Sequence, residues 1–169
     1  MTITRRQLLT TGASIGLGAI VLGLFGRRGA ATSAGVAAKF EVTHTDAEWR
    51  ALLTPAQFSV LREEGTERAG TSPLNAEHRV GIFACAGCAL DLFSSKTKLE
   101  SGTGWPSFWR PLSHAVGERS DSAFGMSRIE VHCSRCGGHL GHVFNDGPPP
   151  TGLRYCMNGV AMTFHATTA

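Results

Sequence analysis

The chain has 169 residues, 42% of them hydrophobic and 17% charged, with a formal net charge of +3. That is room for one domain plus an N-terminal extension, with an apolar content ordinary for a globular protein. Arg5, Arg6, Arg27 and Arg28 all precede Lys39 and no acidic residue does; the remaining 12 Lys and Arg face 13 Asp and Glu, and so near-neutral a body lacks the basic patch that nucleic-acid binding needs.

The first 38 residues read as an address. Arg5-Arg6-Gln7-Leu8-Leu9 opens a stretch rich in Gly and Ala that runs to about Phe25 and closes on Arg27-Arg28, followed by small residues up to Ala38. A charged start, an apolar middle and a small-residue end make a secretory signal. The arginine pair resembles the twin-arginine export signal. Residues 1–38 are therefore expected to be a signal and 39–169 the working domain. The protein is expected in the periplasm or outside the cell, touching the membrane only in transit, or anchored there if the signal stays uncleaved.

Thr45-Asp46-Ala47-Glu48 is a capping box and predicts a short helix to about Leu53. Thr54-Pro55-Ala56-Gln57 repeats the signal with proline at the first helical position, and Gly65 marks the stop. Residues 65–79 read as a loop. Beyond them the apolar runs are short and broken by Gly, Pro, Ser and Asp. Strands are expected at Val80–Ala84, Ser127–His132, His142–Phe144 and Val160–Phe164. Helices followed by short strands predict a mainly β domain of small antiparallel sheets with short N-terminal helices.

Five cysteines punctuate this region: Cys85-x-x-Cys88, Cys133-x-x-Cys136 and a single Cys156. Two CxxC turns flanked by glycines can enclose Zn²⁺ in a tetrahedral Cys₄ site. With all four positions filled by protein, such a site is structural. It would close the fold by tying together segments 44 residues apart in the chain. Disulfides or redox-active pairs are the competing uses of the same four residues. A zinc site is best filled in the reducing cytosol, so the metal is expected to be loaded before export.

Cys156 is left without a partner. Three segments carry residues that suit a nucleophilic thiol: Gly102-Thr103-Gly104-Trp105-Pro106-Ser107-Phe108-Trp109, Gly138-His139-Leu140-Gly141-His142-Val143-Phe144, and Arg154-Tyr155-Cys156-Met157-Asn158. Taken singly, tryptophans are usually core and a lone cysteine is usually a small buried hydrophobe. Taken together, thiol, imidazoles, amide and aromatic are the parts of a nucleophilic site with an apolar pocket.

The motifs SGTGWPSFW (101–109), GHLGHVFNDGP (138–148) and PTGLRYCMN (150–158), with the two CxxC turns and LTPAQFSVLREEGTE (53–67), resemble the type B methionine-R-sulfoxide reductases over roughly residues 40–165. The resemblance implies that Cys156 attacks the sulfoxide sulfur and becomes a sulfenic acid. It implies that His139 and His142 polarise and protonate the oxygen, that Asn158 donates a hydrogen bond or orients a water, and that Trp105, Phe144 and Arg154 line or support the substrate pocket, with Asp146 beside the arginine. The substrate implied is oxidised methionine in proteins. Many members carry a second cysteine before GWPSF; here Thr103 holds that place. No resolving thiol remains, so a thioredoxin-like protein or small thiol is expected to regenerate Cys156. A Cys₄ binding module and a thiol peroxidase are the competing functions.

Overall fold

A computed structural model describes residues 40–122 and 125–167. The export signal expected over residues 1–38 lies outside the described residues, and no described helix is long and apolar enough to cross a membrane.

Two helices open the described region, α1 (Asp46–Leu52) and α2 (Pro55–Glu63). Both begin on complete capping boxes: Thr45 with Glu48, and Thr54 with Gln57. Each such cap is worth about 1 kcal/mol. The expected stop at Gly65 comes one residue early, because Glu64 itself adopts the left-handed conformation (φ 57°) that ends α2. Apolar Phe58, Val60 and Leu61 are the buried residues of α2.

Nine strands follow: β1 (Gly81–Cys85), β2 (Asp91–Ser94), β3 (Lys98–Leu99), β4 (Ser107–Phe108), β5 (Val116–Asp121), β6 (Arg128–Cys133), β7 (His139–Phe144), β8 (Arg154–Met157) and β9 (Met162–Ala166). They form two antiparallel sheets, β2-β1-β9 and β3-β4-β8-β7-β6-β5. The mainly β architecture with short leading helices is the one the sequence predicts.

Besides one-residue shifts in β1 and β6, and strands β2, β3, β4, β5 and β8 that the sequence does not predict, three details differ from expectation. β7 starts three residues before His142, because a bulge keeps Leu140 and His139 in the sheet. The last strand starts at Met162, because residues 159–161 make a 3₁₀ turn first. The 65–79 loop contains another such turn at Pro73–Ala76, capped by the Ser72 hydroxyl.

Phe83, Leu92, Phe93, Phe108, Val131, Leu140 and Met157 are fully buried. Phe108 stacks on Phe93 at 4.3 Å and meets Phe83 edge-on at 4.9 Å, so aromatic packing joins the two sheets. Ser107 and Phe108 of β4 pair with Cys156 and Tyr155 of β8, which anchors the strand carrying the lone thiol to this core.

Candidate metal centre and active site

The four paired cysteines converge. All four Sγ atoms of Cys85, Cys88, Cys133 and Cys136 lie within 4.8 Å of one another. Cys85 and Cys136 stand 3.8 Å apart, and Cys88 and Cys133 3.5 Å apart. A disulfide needs about 2.05 Å, so these sulfurs are not paired covalently. Sulfurs about 2.3 Å from a tetrahedral ion stand about 3.8 Å from each other, so the donor set fits a metal. Hydrogen bonding to Cys133 holds the Cys88 thiol far below the usual range and pushes Cys85 and Cys136 above it. A bond to Cys136 holds Cys133 low.

The fold closes over this centre. Gly87 lies between the buried indole of Trp49 and the sulfurs of Cys85 and Cys136, where a Cβ would touch all three at 3.6–3.7 Å. Arg62 of α2 donates to the carbonyl of Cys136 at 3.1 Å and stacks over Trp49. The helices thus cap the cluster.

The lone thiol sits elsewhere, in the middle of the six-stranded sheet. One rung crosses five strands: Arg119 faces Glu130, Glu130 faces His142, His142 faces Cys156, and Cys156 faces Ser107. Directly opposed residues share a face of the sheet. Two histidines three apart on a regular strand would point to opposite faces. The bulge between Val131 and His132 removes that conflict, pairing His139 with His132 and returning it to the face of His142. The two rings lie 5.4 Å apart, edge to face.

Cys156 is half-buried in a cavity of about 160 Å³ lined by Trp105, Phe144, His142, Asn158, Gly141, Thr66 and Arg128. Trp105 is held by its indole N–H, which donates to the Glu67 carbonyl at 3.2 Å. Two aromatic side chains and a free thiol therefore share one small chamber with an imidazole. A larger cavity of about 600 Å³ lies between α2 and the 66–74 loop, but it holds none of the cysteines or histidines.

Each histidine is gripped by a carboxylate. His139 is 3% exposed, and its Nδ1 lies 2.7 Å from Glu130 Oε1. His142 Nε2 lies 2.8 Å from Asp121 Oδ2, which also accepts from Arg128 at 2.8 Å. Burial lowers the His142 pKa against the opposing pull of Asp121, so this imidazole is mainly neutral at pH 7. Burial works to raise the pKa of Glu130, but hydrogen bonds from His139 and Arg119 outweigh it and hold the carboxyl below its usual range.

Asn158 is buried with both ends of its amide engaged. Oδ1 accepts from the Glu67 N–H at 3.0 Å, and Nδ2 donates to the Leu140 carbonyl at 3.1 Å. Its place is between the thiol strand and the bulge. Arg154 does not line the small cavity. Its guanidinium pairs with Asp146 at 2.8–2.9 Å and lies over the Phe144 ring at 4.6 Å, bracing that ring from outside. This pairing lowers the Asp146 pKa and raises that of Arg154.

Thr103 stands beside the thiol, with Oγ1 3.7 Å from Cys156 Sγ. A hydroxyl chain continues from it through Ser101 and Ser107, each link 2.8 Å, to the Trp105 carbonyl at 3.1 Å.

Sequence reasoning missed Glu130, Asp121, Glu67 and Thr66. Glu130 alone left a signal: a charged residue inside the apolar run of an expected strand.

Residues 53–166 match the SelR domain family. A protein of Thiobacillus denitrificans is 57% identical over 122 residues, covering 72% of this chain and 92% of its own length. One of Agrobacterium fabrum is 54% identical over 125 residues (73% and 93%), and one of Leptospira interrogans 52% over 126 residues (74% and 96%). Each of the three bears the name peptide methionine sulfoxide reductase MsrB.

Proposed function

Because this chain belongs to the SelR-domain family, we propose that it reduces methionine-R-sulfoxide in oxidised proteins, with Cys156 as the nucleophile. The observation that carries the reading is the single chamber holding Cys156, Trp105, Phe144 and His142. A sulfoxide needs a soft nucleophile for its sulfur, a proton for its oxygen and an apolar wall for its methyl group. Trp105 and Phe144 supply the wall. The Cys156 thiolate attacks the sulfoxide sulfur, one proton reaches the oxygen, the S–O bond of the substrate breaks, and methionine leaves behind a sulfenic acid on Cys156. His142, opposite Cys156 in the sheet, and His139 behind it carry that proton. Asn158 holds the thiol strand and the bulge in register, and Arg154 steadies Phe144.

Regeneration falls to an outside thiol. Thr103 faces Cys156 where many relatives of this type carry a second cysteine, and the other four cysteines are gathered in the metal cluster. A thioredoxin-like protein or a small thiol condenses with the sulfenic acid, releases water, and is displaced by a second thiol.

The metal is Zn²⁺, held by Cys85, Cys88, Cys133 and Cys136. It supplies folding free energy on the order of 10 kcal/mol and takes no part in the chemistry. Export by the twin-arginine route would bring the folded, metal-loaded protein to its place of action outside the cytosol.

The test is turnover of separated R and S methionine sulfoxides, free and in peptides, with dithiothreitol as reductant. The expected result is reduction of the R form alone and its complete loss in Cys156→Ser, with metal content and melting temperature retained. Activity persisting in Cys156→Ser would end this reading.

A further inference from the structure

The buried carboxylate of Glu130 is the least expected group in the sheet. It is 3% exposed, sits mid-strand in β6, and accepts from Arg119 on one side and His139 on the other. Arg119 in turn pairs with Glu64 at the surface, so a line of charge runs inward from solvent to the imidazole. Replacing a buried ion pair by apolar side chains is often neutral or stabilising, so stability alone gives little reason for a carboxylate here.

An ionised carboxylate only accepts hydrogen bonds, so His139 Nδ1 must carry the hydrogen in this contact. Its Nε2 is then without a proton in the neutral ring. That atom is buried and has no hydrogen-bond partner among the described residues. The His139 residue lines a polar cavity of about 520 Å³ together with His142, Asp121 and Arg128. Asp121 grips the other nitrogen, Nε2, of His142. The carboxylates thus engage opposite nitrogens of the two rings: Nδ1 on His139 and Nε2 on His142.

We propose that Glu130 is a positioning residue of the site: by taking the Nδ1 hydrogen of His139 it fixes the tautomer whose bare Nε2 accepts and returns the transferred proton. This rests on the reading of Cys156 above. In the first half-reaction the Cys156 thiol gives up its proton, its sulfur gains the sulfoxide oxygen, and the proton ends on that oxygen as the OH of the sulfenic acid. No other reagent is consumed. The proton needs a carrier between the two ends of that step, and a neutral His139 with its hydrogen on Nε2 could not accept it there. Arg119, Glu63, Glu64, Arg128, Asp121, His132 and His142 are the charged or titratable groups around this pair.

Long-range ¹H–¹⁵N correlation of the imidazoles in the wild-type protein at about pH 8 reads the tautomer directly. The expected spectrum shows His139 protonated at Nδ1 and bare at Nε2. Glu130→Gln offers an amide N–H to Nδ1 and frees the ring to protonate at Nε2. Its kcat for the R-sulfoxide is expected to fall by about tenfold or more, as for other carboxylates that orient a reacting imidazole, with KM within about twofold, a displaced pH profile and an unchanged metal content. Glu130→Asp should recover part of the loss. A wild-type His139 protonated at Nε2 overturns the proposal, and so does Glu130→Gln turning over at the wild-type rate with the wild-type pH profile. If Glu130→Gln does not fold, the wild-type spectrum still decides. Failure of the enzyme reading itself shows differently, as a wild-type protein that leaves the sulfoxide untouched or a Cys156→Ser variant that reduces it.

Discussion

Thr103 occupies the position from which a second thiol would act, and its hydroxyl reaches the Cys156 sulfur through the last link of a three-hydroxyl chain. Ser107 donates to the Trp105 carbonyl, so Ser101 donates to Ser107 and Thr103 to Ser101, each hydroxyl having one hydrogen. The Thr103 oxygen is left to accept from whatever sits on the sulfur, and a sulfenic acid offers an O–H. Thr103→Val removes that acceptor while keeping the shape. A hydrogen bond of about 1 kcal/mol corresponds to roughly fivefold. Methionine formation in the first turnover should survive, while the sulfenic form should pass to the sulfinic acid about five times faster under peroxide, read by intact mass. Equal or slower over-oxidation would contradict this role. Cys156, Trp105 and both histidines were legible in the sequence because a motif names each of them. Glu130 and Asp121 were not: a carboxylate acquires its meaning from the cross-strand neighbour it meets, and that neighbour is nine residues away for Glu130 and 21 for Asp121.

The helices were legible nearly to the residue because a capping box is a local signal that the structure reproduces atom by atom. The strands were harder. β3 and β4 are two residues long, and pairing with distant strands rather than local propensity makes them strands. β8 lies in the thiol motif and β5 carries mostly half-buried or exposed residues, so neither shows an apolar run. The bulge in β7 is invisible in sequence, yet it brings His139 and His142 to one face. Gly141 lies inside it, where a Cβ would strike the Cys156 carbonyl oxygen and press on Met157. Gly141→Ala should therefore push β7 from β8 beside the rung that pairs His142 with Cys156. Overpacking of this kind costs about 1–3 kcal/mol, at roughly 4 °C of melting temperature per kcal/mol in a domain of this size. Turnover should fall further than stability, because the rung that aligns His142 with Cys156 moves. An alanine variant with wild-type melting and rate would show that the bulge tolerates a side chain.

For the molecule as a whole, the Cys₄ cluster links the first knuckle, after β1, to the second, after β6, and the helices close over it through Trp49 and Arg62. A domain of this size has about 5–15 kcal/mol of stability in total. Stripping the metal with a strong chelator should therefore unfold it, measured by circular dichroism with metal released in a one-to-one ratio; an unchanged melt would remove the metal from the account of stability. Acid acts in the same direction. Glu130 has a depressed pKa, so its contribution is present above the unfolded value near 4.5 and is lost as pH falls through its lower folded value. His142 also has a depressed pKa, so it costs nothing above about 6.5 and penalises the fold increasingly as pH falls below that. Melting temperature should be level near neutrality and decline from about pH 6.5 downward, with Glu130→Gln losing the lower part of that decline. The central claim is that one sulfur reacts while four stay on the metal. One equivalent of R-sulfoxide, added without reductant and followed by thiol counting and peptide mass mapping, tests it most directly. The account predicts one methionine per chain, one oxygen on Cys156, the four metal cysteines intact and no new disulfide. Methionine formed together with a disulfide from Cys156 to any of the other four, or none formed while Cys156 stays a thiol, would contradict it.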